Sequence, residues 1–184
     1  MTRASRAQAS RGGNRDASAA LWPAVTAWGA GLVQIALGAG AVTGSTVQPA
    51  GLPLIALGLL ALAWGATALA RGRVIAPRAG VAGALAGLIA GALALAADPA
   101  RTSILAVAAA SVLVVAVAIG CGRALRATQR TTASAPPKPR LAGFFVAAVV
   151  VAAVITPALG ATEAGRLAPD HSVHGGVIEE PHHH

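Results

Sequence analysis

Charged residues are scarce in this chain, and that scarcity excludes an ordinary water-soluble fold. Asp, Glu, Lys and Arg make up 11% of the 184 residues, whereas soluble domains average about 25%. Hydrophobic residues make up 55%. A soluble protein of this length needs a polar surface that so few charges do not provide. The composition therefore predicts that apolar side chains face lipid.

Side chains that carry catalysis or cross-links are also few. The single cysteine, Cys121, excludes an internal disulfide, and its position at the end of an apolar segment predicts a buried or interfacial thiol. The sequence contains no phosphate-binding Walker loop, and its only histidines lie after residue 170. Polar segments reach only about 25 residues, which is too short for an independent catalytic domain. We therefore predict that the protein is not an enzyme and has no cofactor in its membrane domain.

Five apolar segments of about 20 residues dominate the sequence, and none contains Asp, Glu, Lys, Arg or His. A helix rises 1.5 Å per residue, so about 20 residues cross a hydrocarbon layer of about 30 Å. Helices of a soluble bundle would instead show a polar face with a 3.6-residue period. The predicted fold is an all-α integral membrane bundle with five transmembrane helices. The predicted spans are residues 21–43, 52–70, 79–97, 102–120 and 141–161.

The basic residues fall almost entirely on one side of these spans. Twelve of the fourteen lie in the leader and in the loops after spans two and four, with Asp16 as the one acid. That side sums to +11 and the opposite side to −3, which gives the net charge of +8. The positive-inside rule then predicts a cytoplasmic N-terminus and an extracytoplasmic C-terminus. The twelve are Arg3, Arg6, Arg11, Arg15, Arg71, Arg73, Arg78, Arg123, Arg126, Arg130, Lys138 and Arg140.

This asymmetry also identifies the partner of the basic residues. A pI near 11.8 would suggest nucleic acid in a soluble protein. In a multi-span protein the same charges lie beside the cytoplasmic leaflet, whose anionic headgroups attract them. We therefore predict contact with anionic lipid and no nucleic acid. Other membrane subunits, or a second copy of the chain, are further candidate partners.

The segments outside the spans are predicted to be disordered. Residues 1–20 form a basic cytoplasmic leader with no apolar run and no cleavable signal peptide. Residues 162–184 form an extracytoplasmic tail. Lys138 and Arg140 precede an apolar stretch that ends in small residues, as in an internal signal sequence. Two interpretations remain: an uncleaved fifth span, or cleavage near Ala161 that releases the tail.

The tail contains every histidine of the chain. Pro169 and the pair Gly175-Gly176 favour a loop over a helix there. Imidazole binds Cu(II), Ni(II) and Zn(II), so one hypothesis is a Cu or Zn site in the tail. The alternatives are a solvated end without a ligand, a residual purification tag, and a segment that responds to protons. The candidate ligands are His171, His174, His182, His183 and His184.

Glycines recur at helical spacings in the first three spans. Span three contains G-x-x-x-G-x-x-x-G, and spans one and two have glycines seven residues apart. Such grooves allow helices to approach closely, either within one bundle or between copies. Gln34 is the one strongly polar residue deep in a span. A structural role, in which its amide can hydrogen-bond across the bundle for about 0.6–2 kcal/mol, is favoured over a role in transport. The predicted packing residues are Gly31, Gly38, Gly58, Gly65, Gly83, Gly87, Gly91 and Gln34.

Two short segments of the sequence are similar to each other. GLVQIALG over residues 31–38 matches GLPLIALG over residues 51–58 at six of eight positions. Either the two are a degenerate repeat, or the match is a coincidence in a chain rich in Gly, Ala and Leu. The sequence leaves both interpretations open.

The end of the chain carries one family resemblance. The segment ITPALGATEAGRLAPDHSVHGG, residues 155–176, resembles the ends of small actinobacterial multi-span membrane proteins with a T-P-A-L-x-A-T-E-A-G step and a His/Gly-rich tail. The excess of Arg over Lys fits a GC-rich genome of that kind. The resemblance implies a bacterial plasma membrane location for a multi-pass protein. It implies no activity and no catalytic residues.

Three hypotheses for function follow from these features. The first is a non-enzymatic accessory or assembly subunit of a membrane complex, because charge-free, glycine-grooved helices are suited to packing. The second is a metal-handling membrane protein that captures Cu or Zn with its outward tail. The third is a small-molecule transporter, which would require a polar cavity within the bundle.

Overall fold

The protein is a helical bundle in a computed structural model that describes residues 3–43, 49–129 and 141–166. The predicted all-α class is confirmed for these residues. The six helices are α1 (Arg3–Thr43), α2 (Gly51–Arg71), α3 (Pro77–Ala97), α4 (Ile104–Gln129), α5 (Leu141–Gly160) and α6 (Glu163–Arg166).

Four stretches of these helices are long and apolar enough to cross a membrane. They are Trp22–Thr43, Gly51–Arg71, Pro77–Ala97 and Ile104–Ala127, and they overlap the first four predicted spans almost completely. A shorter apolar stretch, Phe145–Gly160, lies within the fifth. The chain is therefore a multi-span membrane protein with four candidate spans and one shorter apolar helix.

Three helices differ in extent from the sequence-based expectation. α1 begins at Arg3, within the segment predicted to be a disordered leader, and α4 continues past residue 120 to Gln129. Ala and Arg are frequent in both extensions, and both have high helix propensity, so an existing helix propagates through them readily. The short helix α6 begins inside the predicted tail at Glu163, because Thr162 caps it. The Oγ1 of Thr162 accepts a hydrogen bond from the N–H of Gly165 at 3.0 Å.

α1 lies at the centre of the bundle. It packs against α2, α4, α5 and α6, and 56% of its apolar segment is buried, compared with 22% for α2. Small and β-branched residues such as Ala24, Ala30 and Val33 are almost fully buried along it. A central helix with small side chains allows its neighbours to approach closely, because dispersion contacts and not water exclusion hold helices together in lipid.

The connection between α2 and α3 has a fixed geometry. Gly72 adopts a left-handed conformation with φ 61°, and its N–H donates to Leu69 while that of Arg73 donates to Ala68. This Schellman arrangement ends α2. Pro77 starts α3, where its missing N–H has no cost. The Nε1 of Trp64 donates to the carbonyl of Ile75 at 2.8 Å, which holds the connection against α2.

An ion pair joins two segments at the opposite end of the bundle. The Nη2 of Arg101, in the α3–α4 connection, lies 3.2 Å from the Oε1 of Glu163 in α6. Glu163 also lies against Gly40, near the end of α1. The backbone N–H of Arg101 donates to the Oδ1 of Asp98 at 3.2 Å. These polar residues share one end of the bundle, whereas Arg71, Arg73 and Arg78 surround the other.

Candidate functional site: a pocket beside Gln34

The predicted metal ligands in the tail lie outside the described residues. His171, His174 and His182–His184 all follow residue 166, so their hypothesis stays a prediction. Within residues 3–43, 49–129 and 141–166, no group of three or more His, Cys, Asp or Glu side chains could hold a metal ion. The candidate site that the described residues do form lies within the helical bundle.

The glycines of α1 and α2 bring these two antiparallel helices into backbone contact. A Cβ added at Gly38 would lie 2.6 Å from the carbonyl oxygen of Gly51, and one added at Gly58 would lie 2.6 Å from that of Gly31. Both distances are far below a normal van der Waals contact. Only glycine allows this approach, which also permits weak Cα–H···O bonds between the helices. Gly65 likewise lies against Trp28 and the backbone of Ala24.

The same contacts show that the two similar segments are structurally equivalent. A Cβ at Gly38 would lie 2.7 Å from the Cγ1 of Ile55, and one at Gly58 would lie 2.7 Å from the Cγ1 of Ile35. Within residues 31–38, each residue of α1 therefore corresponds to the α2 residue 20 positions later, as in a local two-fold axis. By this relation Gln34 corresponds to Leu54 of α2. The resemblance between GLVQIALG and GLPLIALG thus has a structural counterpart.

The three glycines of α3 have different surroundings. Gly87 is buried directly against the Nε2 of Gln34, and Gly91 is buried beside Val107 of α4. Gly83 is exposed, and a Cβ added there would meet nothing within 4 Å. Two of the three therefore lie against side chains of other helices within the bundle. The third faces open space.

Gln34 is nearly inaccessible but lacks the interhelical hydrogen bond that its position predicts. Its exposed fraction is 3%. The other two buried polar residues of the described chain, Thr26 and Thr162, both donate to backbone carbonyls. Among the described residues, none forms a hydrogen bond with the side-chain amide of Gln34. An unpaired buried polar group costs about 1–3 kcal/mol, so this amide needs a partner.

Gln34 is also one of the residues that line a cavity of about 260 Å³. Residues of four helices surround it, and they are almost all aliphatic or aromatic. Gln34 provides the one hydrogen-bonding amide in the lining, and Trp64 provides the largest side chain. The lining residues are Ala27, Ala30 and Gln34 of α1, Leu57, Leu60, Ala61 and Trp64 of α2, Ala79, Gly80, Gly83 and Ala84 of α3, and Val114 and Val117 of α4.

The cavity opens sideways, between α2 and α3. These helices contact each other much less than α1 contacts α2 or α3 contacts α4. Leu60 and Gly83, on the two rims, are exposed. Near the α2–α3 connection, the indole of Trp64 is bonded to the carbonyl of Ile75, and Gly80 is in close contact with Cys121. The opening thus lies between α2 and α3, both of which are candidate membrane spans.

A second, much smaller cavity lies at the far end of the bundle. Its volume is about 20 Å³, and its lining includes Arg101, Thr102 and Glu163. That space holds no more than one water molecule. It has no role in binding a larger molecule, so the pocket beside Gln34 is the candidate functional site.

Of the residues that line this pocket, the sequence singled out Gln34 and Gly83, and it singled out both for helix packing. Gln34 stands out because a lone amide in a charge-free span is unusual. Trp64 and Gly80 carry no such signal, because an interfacial Trp or a helical Gly is common in membrane proteins. Only the separation of α2 from α3 creates the space, and no local pattern encodes it.

Comparison with known proteins gives no further constraint on the site. No family profile, no curated protein sequence and no solved structure matches the chain.

Proposed function

We propose that the chain is a non-enzymatic accessory or assembly subunit of a larger membrane complex in a bacterial plasma membrane. The observation that carries this proposal is the outward face of α5. Phe145, Val146 and Val149 are each more than 60% exposed. α5 contacts chiefly α1 and lies at the flank of the bundle. A continuous aromatic and aliphatic face of this kind suits the helix of another subunit.

The proposal includes five spans with a cytoplasmic N-terminus. α5 comprises 20 residues in full, which at 1.5 Å per residue matches a hydrocarbon layer of about 30 Å. The exposed Arg71, Arg73 and Arg78 lie at one end of the bundle, and Asp98 and Glu163 lie at the other. By the positive-inside rule the arginine end is cytoplasmic, and the tail after residue 166 is then extracytoplasmic.

Cysteine accessibility tests this orientation. Cys121 is first replaced by alanine, and single cysteines are then introduced at Arg73 and at Pro99, which are exposed at opposite ends. A membrane-impermeant maleimide added to intact cells should label Pro99→Cys, whereas Arg73→Cys should react only after permeabilisation. Labelling with the opposite pattern would refute the orientation.

Photo-crosslinking tests the subunit role. A benzophenone amino acid is placed at Val149 on α5, with Val112 of α4 as the matched control, since the two valines are 67% and 64% exposed. In native membranes, Val149 should give a discrete protein adduct that mass spectrometry can identify, and Val112 should give lipid adducts. The proposal is wrong if both positions yield lipid adducts alone and the protein migrates by itself after mild solubilisation.

A second candidate function, small-molecule transport, is favoured by the cavity beside Gln34. Transport requires access from both sides of the membrane in turn, and counterflow of a candidate solute in proteoliposomes would measure it. The metal-handling alternative rests on the tail alone. Under this alternative, the full chain should bind more copper than a chain that ends at Arg166, because only the full chain has the five histidines. Equal copper binding by the two chains would refute the metal-handling alternative.

A further inference from the structure

The unpaired amide of Gln34 beside an apolar cavity indicates a binding site. Three observations coincide here: the side chain is 97% buried, the described residues offer it no hydrogen bond, and it borders about 260 Å³ of space. Apolar cavities stay dry, whereas a polar group on the wall gives an incoming molecule a fixed point of attachment.

Helix packing alone does not require an amide at this position. The equivalent residue of α2 under the local two-fold relation is Leu54, which is 1% exposed and contributes to the core. A leucine therefore fills the corresponding place between these helices. Compared with leucine, glutamine adds a hydrogen-bonding group at this position. Gln34 lines the cavity, whereas Leu54 does not.

We propose that this cavity binds a lipid-soluble molecule that carries a carbonyl or hydroxyl oxygen, which forms a hydrogen bond with the Gln34 amide. This inference goes beyond the proposed function, because an assembly subunit needs no small ligand. An apolar cavity of about 150 Å³ accommodates one benzene molecule. By proportion, the cavity holds about ten non-hydrogen atoms.

The chemistry of the walls restricts the ligand further. Among the described residues, no charged side chain lines the cavity, so a carboxylate or phosphate inside it would remain uncompensated in a medium of low dielectric constant. The lateral opening between Leu60 and Gly83 leads to the hydrocarbon layer. The ligand thus enters from the bilayer, with its apolar part among Leu57, Trp64 and Val117 and its oxygen at Gln34.

Trp64 provides a direct readout, because it lines the same cavity. Trp22 and Trp28 are replaced by phenylalanine, so that Trp64 is the only fluorophore of this kind. The protein in lipid nanodiscs is titrated with ω-bromo-octanol, which has ten non-hydrogen atoms by its formula, and with bromo-octane, which lacks the oxygen. Bromine quenches indole fluorescence on contact. After correction for partition into lipid, we expect ω-bromo-octanol to bind about three- to tenfold more tightly, as one net hydrogen bond provides.

Two variants locate the effect. Gln34→Leu copies the α2 residue, and we expect the two compounds to quench it equally. Gly83→Leu places a side chain into the open mouth of the cavity and should reduce quenching by both compounds. Gly122→Leu is its matched control, because a Cβ there also meets nothing within 4 Å but lies outside the cavity. It should behave like the parent protein.

The outcomes separate clearly. Equal affinity of the parent protein for the alcohol and the alkane would overturn the proposal, as would a preference that persists in Gln34→Leu. Quenching that Gly83→Leu does not reduce would place the compounds elsewhere and would also overturn it. A phospholipid with brominated acyl chains distinguishes the source of the natural ligand: quenching that depends on Gln34 indicates a lipid ester carbonyl, and its absence indicates a free lipophilic molecule. The quenching experiments do not involve the crosslinks from α5. Failure of the proposed subunit role and failure of the proposed ligand site can therefore be told apart.

Discussion

The close contact of α1 and α2 leads to a sharp prediction for Gly58→Ala. The new Cβ would lie 2.6 Å from the carbonyl oxygen of Gly31 and 2.7 Å from the Cγ1 of Ile35. Ordinary contacts begin near 3.4 Å, so the helices must separate by about 0.8 Å. Overpacking of this kind costs about 1–3 kcal/mol. The substitution also gains up to about 1 kcal/mol of helix propensity. We expect a net loss of up to about 2 kcal/mol.

The matched control is Gly83→Ala on α3. It makes the same chemical change in a helix, but its Cβ meets no atom within 4 Å. The gain in helix propensity is then uncompensated, and this variant should be about 0.5–1 kcal/mol more stable than the parent. Reversible unfolding in mixed SDS micelles, followed by circular dichroism, measures both free energies of unfolding. If Gly58→Ala is as stable as Gly83→Ala, α1 and α2 are not in backbone contact.

Three further predictions concern single contacts. The pair of Arg101 and Glu163 is about one-third exposed on each side, so a double-mutant cycle with alanine should give a coupling below about 1 kcal/mol that decreases with added salt. Thr162→Val removes the cap of α6, which should cost about 0.5–2 kcal/mol and increase hydrogen exchange at Gly165 and Arg166; unchanged exchange would contradict the cap. The thiol of Cys121 is fully buried, so a small permeant maleimide should label it no faster than the bundle unfolds, and rapid labelling would show that α3 and α4 separate.

The pocket depends on an imbalance among helix contacts. Glycines bring α1 close to α2, whereas Gly80 and Gly87 bring α3 close to Cys121 and Gln34. These two pairings leave α2 and α3 with few contacts to each other. The same small residues that tighten the bundle on one side thus leave space on the other. Filling that space with larger side chains on α2 would close the pocket without disturbing the core of α1.

The membrane class and the positions of four spans followed from the sequence alone. Each rests on a local property: about 20 apolar residues without a charge satisfy their backbone hydrogen bonds only as a helix in lipid. The limits of α1 and α4 were less well determined. Their ends lie in Ala- and Arg-rich sequence, where helix propensity favours continuation although hydropathy has already fallen.

Tertiary structure alone decided which helices meet and what lies between them. Regular glycines predict close packing but do not name a partner, because the same groove serves any helix that fits it. The pairing of Gly31 with Gly58, and the placement of Gln34 beside an open cavity instead of a hydrogen-bond partner, depend on residues far apart in the chain. The sequence by itself determined that the protein lies in lipid and where its apolar helices are. The long-range packing of small side chains determined the site.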